Sequence, residues 1–81
     1  MTKELFLYSS KKCSLCLDMQ KELDKICTSR DFSYYTVDVS DDPELKHRYG
    51  ARLPVLVGGN EEICELIFYL KAFDNYILAN D

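Results

Sequence analysis

Lys11-Lys12-Cys13-Ser14-Leu15-Cys16 is the stretch that most constrains what this chain can fold into. It follows a short apolar run, Leu5-Phe6-Leu7-Tyr8, and precedes apolar residues at helical spacing, Leu15, Met19, Leu23 and Ile26. The pattern predicts a strand that hands over to a helix at the two cysteines. The first N–H groups of a helix lack partners and form the positive end of its dipole, so an anion is stabilised there. Cys13 falls at or just before the first turn, and Lys11 and Lys12 add positive charge nearby. Such settings lower a cysteine pKa from about 8.5 to roughly 3.5–7.5. Cys16, three residues on, lies on nearly the same helix face, within disulfide reach, and is expected to be the less exposed sulfur.

Other chemistry is open to such a pair. A Cys-x-x-Cys can be half of a zinc site, but the second half is missing. Cys27 and Cys64 stand alone, and His47 is the only histidine. Cys27 lies eleven residues past Cys16. On one helix that is about 16 Å away, too far to share a metal. Metal held by two copies of the pair across a dimer, and a purely structural disulfide, remain as alternatives. The strand–Cys-x-x-Cys–helix context favours a redox-active dithiol.

The 81 residues make a single domain spanning 1–81, small but able to fold alone. An apolar share of 47% argues against disorder, and a net charge of −4 argues against a nucleic-acid partner. No long apolar span suggests a membrane, and Thr2-Lys3-Glu4 leads straight into a strand without an export pattern. Four cysteines could frame a secreted disulfide scaffold, but two form one motif and two sit inside predicted elements. A reducing cytoplasm is the expected setting.

Along the chain, residues 4–9 read as a first strand, apolar on both faces and so central in its sheet. Residues 14–28 read as a helix. Its Asp18, Lys21, Glu22 and Lys25 form a solvated face, and Cys27 near its end is expected to be a small buried hydrophobe. After a loop at Thr28-Ser29-Arg30-Asp31, residues 32–39 read as a second strand, with its tyrosines as packing residues. A helix between two strands implies a parallel pair. Asp42-Pro43-Glu44 starts a second helix, with Asp42 as N-cap; Leu45 and Tyr49 face inward, and Gly50 ends it. His47 is expected to be exposed. Ala51 to Val57 leads into a third strand, with Pro54 at its start or edge. Gly58-Gly59-Asn60 turns into a fourth, antiparallel strand, Glu61 to Leu66. A last helix runs from about Ile67 or Phe68 to Ala79, with Leu70, Phe73 and Ile77 on one face. The order is β-α-β-α-β-β-α.

This order, with Cys13-Ser14-Leu15-Cys16 after the first strand and Leu53-Pro54 before the third, resembles the thioredoxin-like fold. More narrowly it resembles the small glutaredoxin-like domains, over nearly the whole chain. Further matching pieces are Leu7-Tyr8-Ser9, Val37-Asp38-Val39, Asp42-Pro43-Glu44-Leu45, Tyr49-Gly50 and Val55-Leu56-Val57. The resemblance implies an α/β fold with a four-stranded mixed sheet and helices on both faces. It implies a thiol–disulfide oxidoreductase in which Cys13 attacks and Cys16 resolves, with Lys12, Leu53 and Pro54 binding substrate. Pro54 would be cis, leaving the Leu53 backbone free to pair with an extended substrate. The implied partners are protein or small-molecule disulfides, with glutathione or a disulfide reductase returning electrons; the domain acts as a monomer and requires no metal or organic cofactor.

The chain also departs from that pattern. Typical glutaredoxins carry Cys-Pro-Tyr-Cys, where this sequence has Ser14-Leu15 in the middle. They carry a glycine pair and acidic residues after the fourth strand that hold glutathione, where this sequence reads Cys64-Glu65-Leu66-Ile67-Phe68-Tyr69. The thioredoxin signature Trp-Cys-Gly-Pro-Cys is absent, and there is no tryptophan. The alternative function is a thioredoxin-like binding module with little or no redox turnover.

Overall fold

The computed structural model describes residues 3–29, 32–59 and 61–79. Strand β1 spans Lys3–Ser9 and passes to helix α1 at Ser14–Ser29; β2 spans Phe32–Asp38 and passes to α2 at Pro43–Tyr49. One 3-10 turn, Gly50–Arg52, leads to β3 at Val55–Gly58, β4 at Glu61–Glu65 and α3 at Leu70–Ala79. The four strands form one mixed sheet in the order β2-β1-β3-β4. β1 and β2 are parallel, while β1 with β3 and β3 with β4 are antiparallel. This is the thioredoxin-like α/β fold.

The central place of β1 follows from its composition. A strand buried on both faces needs apolar residues at consecutive positions. Leu5 and Leu7 are fully buried on one face, beneath Met19 and Leu23 of α1 and Phe73 of α3. Tyr8, pointing the other way, joins Tyr49 of α2 with Val55 and Val57. The sheet thus separates α1 and α3 from α2. Each fully buried leucine or phenylalanine contributes roughly 1.5–3 kcal/mol relative to exposure. Two close aromatic pairs join the layers: Tyr8 stacks on Tyr49 with ring centroids 4.3 Å apart, and Phe32 meets Phe73 at 5.0 Å.

Local chemistry explains the helix starts and stops. Asp42 caps α2, its Oδ1 accepting from the Glu44 and Leu45 amides at 3.1 Å, with Pro43 in the first helical position. Tyr49 is buried and Leu45 half-buried against it, and His47 is exposed. Gly50 does not stop the helix in a left-handed conformation: its φ is −54°, and the backbone tightens into the 3-10 turn instead. That turn takes Ala51 and Arg52, so β3 begins only after Pro54. At the far end of α1, the Thr28 hydroxyl donates to the Asp24 and Lys25 carbonyls. Thr28 and Ser29 therefore belong to the helix, while Arg30 and Asp31 of the expected loop lie outside the described residues.

The β3–β4 turn uses Gly59 at φ 60°; Asn60 lies outside the described residues. Gly58 is required for a different reason. A Cβ there would lie 2.8 Å from Cε2 of Tyr76, so only a bare backbone lets α3 approach the hairpin. α3 starts at Leu70, later than the expected Ile67 or Phe68, because Leu66 turns the chain at φ 69°. Its inward face is Phe73, fully buried, with Tyr76 and Ile77 half-buried; Leu70 is 52% exposed, contrary to its place on the expected apolar face.

Candidate functional site

The segment between β1 and α1 is a tight turn. The Cys13 amide donates to the Ser10 carbonyl at 3.3 Å, which swings Lys11 and Lys12 outward and sets Cys13 immediately before Ser14, the first residue of α1. Cys13 then serves as the helix cap. Its Sγ accepts from the Cys16 amide at 3.1 Å, the third amide of the helix, which is the bond an N-cap serine or aspartate makes. A sulfur in this place is bound by a donor that strengthens as the sulfur becomes anionic. No acidic side chain occupies the first turn of α1 to oppose that charge, and the Lys11 and Lys12 side chains are exposed.

Cys13 and Cys16 form a disulfide, with Cα atoms 5.2 Å apart. Cys13 is half-buried and Cys16 is 2% exposed. The two sulfurs are therefore unequal: an incoming group reaches Cys13, while Cys16 sits under the first turn. Cys27 and Cys64 are free thiols. Burial pushes the Cys64 thiol up, with the Tyr69 backbone hydrogen bond pulling weakly the other way. Burial, then the Asp24 charge, raises Cys27, which is half-buried rather than sealed in the core as the sequence suggested. Both stay protonated at neutral pH, so neither competes with Cys13 as a nucleophile.

Lys12 and Leu53 line one pocket of about 400 Å³ beside the dithiol, with Lys11 and Lys46 adding two more ammonium groups and Asp41 one carboxylate. The Leu53 backbone is extended, at φ −63° and ψ 143°. The Leu53–Pro54 bond is cis, the geometry the resemblance implies. Pro54 is buried and does not line that pocket. Its carbonyl accepts from the Leu66 amide at 2.9 Å, joining the start of β3 to the β4–α3 connection. His47 lines neither this pocket nor the groove on the other side of α1's first turn. That second groove, between Leu15, Asp18 and Glu22 of α1 and Leu66, Ile67 and Phe68, escaped the sequence reading. Its one local signal is the apolar Leu66-Ile67-Phe68 run where a strand has already ended.

Residues 4–79 match the family model described as glutaredoxin-like domain (DUF836). The chain belongs to this glutaredoxin-like domain family. Solved structures agree on the fold. Protein Ne2328 from Nitrosomonas europaea is 23% identical, over 94% of this chain and 92% of that one, with a TM-score of 0.84. A structural-genomics target protein from X. campestris is 26% identical, over 93% of this chain and 96% of that one, with a TM-score of 0.66. The oxidised form of mitochondrial thioredoxin 3 from Saccharomyces cerevisiae is 20% identical, over 95% and 77%, with a TM-score of 0.68. A search of curated proteins finds no match. Among the described residues of this glutaredoxin-like domain, no helix is long and apolar enough to cross a membrane.

Proposed function

We propose that this glutaredoxin-like domain is a thiol–disulfide oxidoreductase that reduces or exchanges disulfides through Cys13 and Cys16. One observation carries the reading: the more accessible sulfur caps the mouth of α1, and a second sulfur is already bonded to it. In the reduced domain the Cys13 thiolate attacks one sulfur of a substrate disulfide. The Cys13–substrate bond forms as the substrate S–S bond breaks, and the departing thiolate takes up a proton. Cys16, deprotonated, then attacks Cys13 Sγ. The mixed disulfide breaks, the second substrate thiol leaves with a proton, and the Cys13–Cys16 bond closes. Two electrons and two protons pass from the dithiol to the substrate. The rate of the first step follows thiolate fraction, nucleophilicity and access; the helix cap favours Cys13 in the first and its greater exposure favours it in the last.

These steps use sulfur chemistry alone and require no metal or organic cofactor. Returning the domain to its dithiol form takes an external thiol, glutathione or the dithiol of a reductase. In this reading Lys12 offers its ammonium to an anionic part of the substrate, and the extended Leu53 backbone beside cis Pro54 pairs with a substrate segment in the manner of an added strand. The domain works as a monomer in the cytoplasm, where a reducing glutathione pool keeps Cys27 and Cys64 as thiols.

Replacing each cysteine in turn tests the mechanism. Reduced Cys13→Ser is expected to lose reduction of bis(2-hydroxyethyl) disulfide to the uncatalysed background. Cys16→Ser is expected to accumulate a mixed disulfide, seen as an intact-mass increase that dithiothreitol reverses. Turnover retained by Cys13→Ser would overturn the assignment. A native dithiol that stays inert across glutathione redox buffers would favour the binding module.

A further inference from the structure

Leu53 stands outside the sheet ladder, between the 3-10 turn Gly50–Arg52 and the start of β3 at Val55. A backbone that pairs with a substrate segment must nevertheless hold its N–H and C=O in one place. Two attachments flank it. On one side the Pro54 carbonyl accepts from the Leu66 amide at 2.9 Å. On the other is the side chain of Arg52, the residue immediately before Leu53.

Arg52 uses its whole fork. Nη1 donates to Glu62 Oε1 at 2.6 Å, and Nη2 donates to Glu62 Oε2 at 3.3 Å. Nη2 also donates to the Arg48 carbonyl, in the last turn of α2, at 3.0 Å. Glu65 Oε1 lies 3.8 Å from Nη1, and Cζ stands 5.6 Å from the centroid of the Tyr49 ring. Both carboxylates reach one cation because of a bulge. In a regular strand, residues three apart point to opposite faces. Here Val55 pairs with Glu65 and Val57 with Glu62, and the register shifts between Leu56 and Val57. The extra residue, Ile63, puts Glu62 and Glu65 on the face that carries Val55, Val57 and Tyr49.

Stability does not explain this arrangement. The Arg52 side chain is 34% exposed and both glutamates are 45% exposed, and ion pairs at such sites contribute little to folding. A planar, bidentate fork fixes geometry instead. It ties α2 and β4 to the residue that enters the Leu53–Pro54 segment.

We infer that Arg52 is a positioning residue: through Glu62 and the Arg48 carbonyl it fixes the Leu53 backbone against which a substrate segment pairs. The inference rests on the oxidoreductase reading above and adds a residue to it, one that acts through Leu53 rather than on the sulfurs.

Single-turnover reduction by the dithiol form tests it with two probes. One is a disulfide-linked peptide long enough to pair with Leu53; the other is bis(2-hydroxyethyl) disulfide, which has no peptide backbone. Arg52→Gln is expected to lower the ratio of peptide to small-disulfide rate constants roughly fivefold, the scale of one weakened hydrogen bond. The small-disulfide rate and the Cys13–Cys16 reduction potential are expected to stay as in the wild type. Arg52→Lys keeps the charge without the fork and is expected to recover only part of the ratio. The double variant Arg52→Gln, Glu62→Gln is expected to lose no more than Arg52→Gln alone, since both changes remove one interaction. Equal losses on the two probes, a shifted potential, full recovery by Arg52→Lys or additive losses in the double variant would overturn the assignment. Amide hydrogen exchange on the domain alone gives a reading free of turnover. The Leu66 amide, whose acceptor is Pro54, is expected to exchange about threefold faster in Arg52→Gln, while the amide of buried Leu5 in β1 keeps its rate. No change at Leu66, or the same rise at both amides, overturns the positioning role. A wild-type domain that reduces neither probe sinks the oxidoreductase reading, and exchange at Leu66 then decides separately whether Arg52 holds the segment.

Discussion

At the β1–α1 and β2–α2 junctions the chain enters a helix under a side-chain cap: the Cys13 sulfur accepts from the Cys16 amide, and the Asp42 carboxylate accepts from the Glu44 and Leu45 amides. The β4–α3 junction is built otherwise. A strained γ-turn at Leu66 leads into α3, and the hold of that helix on the body is Phe73, fully buried between Phe32 and Phe68. The difference teaches where reactivity and exposed apolar surface can be placed. A cap satisfies orphan N–H groups through a residue three positions away. The same bond that holds the helix start at Cys13 also stabilises a thiolate, so structure and chemistry share one atom. The Leu66 amide donates to the carbonyl of Pro54, just before the neighbouring strand β3, and the turn leaves its side chains outside. One junction positions a sulfur, and the other presents a surface.

Three substitutions would break or sharpen this contrast. The largest expected effect is at α3, if burial rather than capping holds it. Phe73→Ala is expected to cost about 3–5 kcal/mol in denaturant unfolding, as large aromatic truncations in cores do; a loss no larger than that of a surface change would mean α3 is held by something else. Asp42→Ala is expected to cost about 1 kcal/mol, the usual worth of an N-cap side chain. Thermal unfolding of that variant should show the loss, and an unchanged midpoint would remove capping as the distinguishing feature of α2. The smallest effect has the opposite sign. Leu66→Gly is expected to raise stability by about 0.5–1 kcal/mol, because glycine relieves the left-handed strain and little buried surface is lost. A fall in the unfolding midpoint would show that Leu66 is retained for packing and would weaken the contrast at its root.

Much of the fold could be read from neighbouring residues. The apolar run at Leu5 to Tyr8 predicted a strand buried on both faces, and β1 is central. Asp42-Pro43-Glu44 predicted a capped start, and the cap forms. The readings that missed share a cause. Gly50 carries an ordinary helical φ because Arg52 pulls the next turn toward β4, donating to Glu62 at 2.6 Å and to the Arg48 carbonyl at 3.0 Å. Leu70 fits a helical stripe with Phe73 and Ile77, yet α3 begins at Leu70, beyond the edge of the packed layer. Cys27 is half-buried near the end of α1, close to where the Tyr34 hydroxyl of β2 donates to Asp24 Oδ1 at 2.6 Å. Of the candidate site, Cys13 and Cys16 were legible as a pair at a helix mouth. The pocket joining Lys12 to Leu53 and the groove joining Leu15 to Leu66 were not, because each unites segments far apart in sequence.

The sequence by itself determined the order of strands and helices, the placing of a dithiol where a strand becomes a helix, and most of the residues that turn inward, Leu70 and Cys27 excepted. Those depend on periodicity and capping, which act among residues a few positions apart. Only the tertiary structure decided that β1 lies between β2 and β3, that the Leu53–Pro54 bond is cis, and that Leu66 takes a positive φ. Each of these is imposed by contacts between distant strands, which override what a residue prefers on its own.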